Sequence, residues 1–124
     1  MSELRRKVPE GVRLVISRRL DRLGDEARKV LTAAAVIGRS FAVDLLMQVA
    51  AGNEEQVLDT LDAATGAQLL AEEHGRDARY SFVHELIRGT LLAGLSLPRR
   101  QRLHVRVADA LERSEEHTSE LQSH

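Results

Sequence analysis

The run Tyr80-Ser81-Phe82-Val83-His84-Glu85-Leu86-Ile87-Arg88 changes its hydrophobic period partway along, and this constrains the fold more than any other feature. Tyr80 and Phe82 share one face at period two while Arg79 and Ser81 take the other; from Val83 onward Val83, Ile87 and Leu91 recur at helical spacing. A strand must therefore run straight into a helix, with His84 in the first helical turn. Backbone N–H groups in a first turn lack intrahelical partners and the helix dipole favours an anion, so a histidine there can help hold a phosphate oxygen.

What surrounds this junction is expected to be mainly helical. Hydrophobic residues make up 43% of the 124 and aromatics 2%, so the core must be built from Leu, Val, Ile and Ala, which suits closely packed helices. The length is one domain's worth, too short to hold a nucleotide-binding α/β domain as well. Without cysteine there are neither disulfides nor thiolate metal sites. No apolar run approaches the roughly 20 residues that span a bilayer, and nothing resembles a secretory signal. The expectation is a cytoplasmic protein without membrane contact.

In chain order, residues 1–7 form a short basic lead, and Val8-Pro9 opens a helix whose apolar face is Val12, Ile16, Leu20 and Leu23. Gly24 ends it. Asp25 begins the next, with Ala27, Val30, Leu31 and Ala34 as the buried stripe and Gly38 as a left-handed stop; the run Ala33-Ala34-Ala35 admits another backbone closely. Ser40 is read as the cap of a short third helix carrying Leu45, Leu46 and Val49, and Ala51-Gly52-Asn53 as a turn. Asn53 with Gln56 fits a capping box for a fourth helix that buries Val57, Leu58, Leu61 and Ala64 and stops at Gly66.

Short helices joined by glycine turns are helix-turn-helix organisation. Leu69–Glu73 and Arg79–Phe82 then read as two strands joined by His74-Gly75-Arg76-Asp77. The predicted fold class is mainly α: a winged helix-turn-helix with a two-stranded wing over residues 8–97, followed over 98–112 by an amphipathic helix with Leu103, Val107, Ala110 and Leu111 on one side and no partner evident in the chain. Residues 113–124 differ in kind. Arg-Ser-Glu-Glu-His-Thr-Ser-Glu-Leu-Gln-Ser resembles a translated sequencing-library adapter, expected to be disordered or fraying, which makes the chain a fragment interrupted near Glu112.

Val83-His84-Glu85-Leu86-Ile87-Arg88 resembles the Met-His-Asp motif that closes the winged-helix subdomain of signal-transduction ATPases with numerous domains, the STAND class. Val8-Pro9-Glu10-Gly11-Val12, Arg18-Arg19-Leu20-Asp21-Arg22-Leu23, Ala33 through Phe41 and Arg99-Arg100-Gln101-Arg102-Leu103-His104 stand in the order and spacing of the bacterial regulators of that class, of the LuxR and adenylate-cyclase-associated type. Glu85 departs from the motif's aspartate but keeps its charge, and Leu91-Leu92 lies where an aromatic is common. The resemblance implies a regulatory module that senses the nucleotide state of a neighbouring ATPase domain. By the same resemblance, His84 reaches the diphosphate of ADP or ATP held in the parent protein, and residues 98–112 begin a region of helical repeats. ADP and the partner domains then belong to the parent; no cofactor is expected in this chain.

On the residues themselves, His84 has two readings: an anion contact, or a histidine packed at the strand-helix junction and bonded to a nearby carbonyl. Arg88, one turn on, either assists the anion or pairs with Glu85. The chain is not expected to be an enzyme. It has neither the G-x-x-x-x-G-K-[ST] phosphate loop nor G-x-G-x-x-G, and the His84-Glu85 start of a zinc H-E-x-x-H helix has Arg88 where the second histidine must stand. His74 and His104 read as surface or partly buried residues.

The alternative from another class is the DNA-binding winged helix of a transcription factor. There the third helix enters the major groove and needs Lys or Arg against phosphate. Here the fourth predicted helix, the counterpart of that reading element, offers Glu54, Glu55, Asp59 and Asp62. From Asn53 to Glu73 there is no Lys or Arg, leaving only Arg76 and Arg79 on the wing. DNA binding by this segment is therefore disfavoured.

Overall fold

A computed structural model describes residues 10–50, 53–75 and 77–122, of which 10 and 114–122 are described by their backbone alone. Helix α1 is Glu10–Leu23 and α2 Asp25–Ile37; strand β1 is Ser40–Ala42; α3 is Val43–Val49 and α4 Glu54–Gly66; β2 is Leu70–Glu73 and β3 Arg79–Phe82; α5 is Glu85–Ala93 and α6 Leu97–Gln122. The protein is mainly helical, with one antiparallel sheet in the order β1-β3-β2. Pro9 as a helix start, the turn at Ala51-Gly52 and Arg76 on the hairpin lie outside the described residues.

Helix α2 is the centre of the packing. Its stripe predicted from sequence is fully buried, and Ala33, Ala35 and Val36 join it, so helices approach on more than one side. The alanine run permits this, because small side chains let α1, α5 and α6 all come near. Glycine is needed at both ends: Gly24 at φ 100° ends α1, and Gly38 follows α2 at φ 155°, ψ −176°, a region essentially reserved for glycine rather than the left-handed helical stop expected.

The sheet has three strands, not two. Ser40 does not cap a helix: its hydroxyl donates to Glu73 Oε1 at 3.0 Å and accepts from Arg79 Nη2 at 3.3 Å, linking all three strands through side chains. Three residues are too few for alternation to show in sequence, so β1 is legible only once β3 pairs with it, Phe41 opposite Tyr80. Helix α3 therefore starts at Val43, with Ala42 at its N-cap. Phe41 and Phe82, both buried, stack at a tilt with ring centroids 5.8 Å apart and join the sheet to the helical core.

Helix α4 keeps half of its expected capping box. Asn53 accepts the Gln56 N–H at 2.7 Å, but the Gln56 amide donates across to Glu26 of α2 at 3.1 Å instead of returning to Asn53. Leu58, expected inside, is 44% exposed; Thr60 is buried in its place, its hydroxyl donating to the Gln56 carbonyl at 2.9 Å. The helix includes Gly66 and turns at Gln68, which takes φ 64° without being glycine.

Helix α6 also differs from expectation. It begins at Leu97 with Pro98 in its first turn, a position where the missing N–H costs nothing. Val107 and Ala110 bury into the same core as α2 and α3, so the helix expected to await a partner has one; Leu111 is exposed and Leu103 half-buried. Arg106 donates to the Val49 carbonyl at 3.5 Å, at the end of α3. The backbone remains helical past Glu112 to Gln122. Residues 113–122 contain neither glycine nor proline, so a helix seeded on the core can propagate through them.

Candidate functional site: the mouth of helix α5

The strand-to-helix switch read from the sequence lies where β3 ends at Phe82 and α5 begins at Glu85. Val83 continues the pairing, donating its N–H to the Leu69 carbonyl at 3.1 Å, and its side chain is 48% exposed rather than part of the helical stripe. Ile87 and Leu91 supply that stripe.

His84 is the N-cap of α5, one residue before the first turn in which it was expected. Its backbone is extended, and Nδ1 accepts the Leu86 N–H at 3.2 Å. The bond partner is thus a backbone donor, not the nearby carbonyl of the packed-histidine reading. With Nδ1 as acceptor, the neutral ring carries its proton on Nε2, which is left as a donor. The imidazole is exposed and helps line a groove of about 620 Å³ between α1, the end of α4 and the start of α5.

Val12, Ile16, Leu70, Val83, Leu86 and Ile87 form the apolar part of that groove. Its polar groups are Arg19, Thr65, Gln68 and His84. Val12, placed by sequence on the buried face of α1, is 38% exposed because it borders this groove rather than the core.

Arg88 does not line the groove. Its Nε donates to the Ala35 carbonyl at 2.8 Å and Nη1 to Glu85 Oε1 at 3.1 Å, so the ion pair considered from sequence is present, together with a bond to α2 that sequence did not foresee. Arg19 is the site residue that sequence reasoning passed over. Its spacing does not single it out among Arg13, Arg18, Arg19 and Arg22 of the same helix, and only the packing of α1 against α5 brings it to the groove that His84 lines.

Tyr80, paired with Glu72 across β3 and β2, has its phenol pKa raised above the usual 10.0, chiefly because burial disfavours the phenolate and also because Glu72 and Asp62 are near. Both carboxylates are exposed, as are Glu54, Glu55 and Asp59 of α4. Among the described residues no three His, Asp or Glu side chains are grouped to hold a metal ion, and no helix is long and apolar enough to cross a membrane. Comparison with protein-family models, curated proteins and solved structures found no match to this chain.

Proposed function

We propose that this chain is a winged-helix regulatory module of a STAND-type ATPase regulator, acting in the cytoplasm and sensing the nucleotide bound to a neighbouring ATPase domain through His84. The element order helix-strand-helix-helix-strand-strand over α2 to β3, with an antiparallel sheet in the order β1-β3-β2, supports the winged-helix reading. The observation that carries the functional reading is the geometry of His84: an exposed N-cap whose Nδ1 is occupied by the Leu86 N–H, leaving Nε2–H as a donor at the mouth of α5. Such a donor, in the field of a helix N-terminus, suits a phosphate oxygen better than a cation or an apolar group.

The mechanism is a two-state switch. With ADP in the parent's ATPase domain, His84 donates to the diphosphate and holds the module closed; exchange for ATP weakens that contact and frees the module, with the downstream helical repeats, for assembly. A contact made only in the closed state shifts the equilibrium by its own differential free energy, about 1.5–3 kcal/mol for a hydrogen bond to a charged group. The module performs no chemistry of its own. DNA binding is the weaker reading, because Glu54, Glu55, Asp59 and Asp62 lie on α4, the counterpart of a DNA-reading helix, and repel phosphate.

The test uses the full-length parent. His84→Asn keeps an N-cap acceptor but removes Nε2, and is expected to speed ADP release by roughly ten- to a hundredfold. An unchanged ADP off-rate would remove the sensor role.

A further inference from the structure

We infer that Arg19, not Arg88, is the cation that binds the diphosphate beside the His84 N–H, so that the groove between α1 and α5 is a two-point anion site. The inference rests on the sensor reading of His84 and names its partner. Arg19 and His84 line one groove, contributed by elements far apart in sequence. Among the described residues no carboxylate lines that groove, although Asp and Glu make up 19 of the 124 residues. Glu85, adjacent to His84 in sequence, is held by Arg88 at 3.1 Å.

Arg88 is committed to Glu85 and to the Ala35 carbonyl, whereas Arg19 forms no ion pair among the described residues and is exposed. Its guanidinium offers paired donors that match phosphate oxygens, which a single imidazole N–H does not. Gln68 adds an amide at the same groove. It sits at φ 64°, a conformation that costs a non-glycine residue about 1 kcal/mol, at a turn where glycine would avoid the strain but leave no polar side chain. The apolar walls, Val12 and Val83 among them, lower the local dielectric and strengthen whatever charge contact forms between them.

The test is a titration of the full chain with inorganic pyrophosphate, followed by NMR of backbone amides, the Arg19 guanidinium and the His84 ring. The expected result is binding on the order of millimolar, localised to the groove. Arg19→Gln should weaken it about tenfold and His84→Asn comparably. Arg22→Gln, one turn away with the same change in net charge, should alter affinity less than about twofold. AMP, with a single phosphate, should bind about fivefold more weakly than pyrophosphate. Absence of binding up to about 10 mM overturns the inference, as does equal loss in the Arg19 and Arg22 variants. Loss with His84→Asn but not with Arg19→Gln removes Arg19 and leaves the sensor reading standing. Loss with Arg19→Gln alone removes His84, and the sensor reading with it. Equal affinity for AMP overturns the diphosphate assignment.

Discussion

Arg88 Nε donates to the carbonyl oxygen of Ala35 at 2.8 Å, which ties α5 to the last turn of α2. The final carbonyls of a helix have no intrahelical donor, and Gly38 N–H already satisfies Ala34, so Arg88 takes the next one. Arg88→Met should therefore lower unfolding free energy by about 1–2 kcal/mol, below the full value for a charged hydrogen bond because the side chain is 26% exposed. Urea unfolding of the isolated chain measures this. A loss below about 0.3 kcal/mol would mean the bond contributes nothing net.

His84 separates capping from ligand contact. His84→Ala removes the Nδ1 acceptor and should cost about 1 kcal/mol of stability, whereas His84→Asn should restore most of it, since asparagine is among the best N-caps. If the two variants melt alike, the bond to Leu86 is not stabilising α5.

Helix α6 is held by its middle. Val107→Asp places an unpaired carboxylate against α2 and α3 and should cost more than about 3 kcal/mol, enough to detach the helix. Deletion of residues 113–124 should change stability by less than about 1 kcal/mol, because Val107 and Ala110, the buried residues of α6 among the described side chains, precede it. A larger loss on deletion would show that the terminal stretch packs.

Duplex DNA offers a negative prediction. The carboxylates of α4 should leave the isolated chain without salt-sensitive DNA affinity. Submicromolar binding that weakens steeply with added salt, measured by fluorescence anisotropy, would instead favour the transcription-factor reading.

Tyr80 gives a pH signature. Its folded-state pKa is raised, so above the usual 10.0 the unfolded chain loses this proton first and is stabilised relative to the folded one. The stability contributed by the neutral phenol is complete below pH 10 and declines as pH rises toward the folded-state value. Absorbance titration of the phenolate should show a midpoint above 10.0 in the folded protein, and Glu72→Gln should move it down.

What the sequence determined by itself was local: the period change at Tyr80–Arg88, the bounds of β3, the stripe of α2 and the glycines that end α1 and α2. Each is a matter of backbone periodicity or of conformations open mainly to glycine, and so needs no knowledge of distant residues. Tertiary structure decided the rest. Strand β1 exists because β3 pairs with it, Thr60 can be buried on α4 because its hydroxyl donates to the Gln56 carbonyl while Leu58 stays outside, and α6 is core because α2 and α3 receive Val107 and Ala110. The candidate site divides in the same way: His84 is conspicuous from its place at a strand-helix junction, but Arg19 is one arginine among several until α1 packs against α5 and brings it to the same groove. Arg88 shows the converse, since proximity in sequence placed it beside His84 while the open carbonyl of Ala35, distant in the chain, drew it to α2.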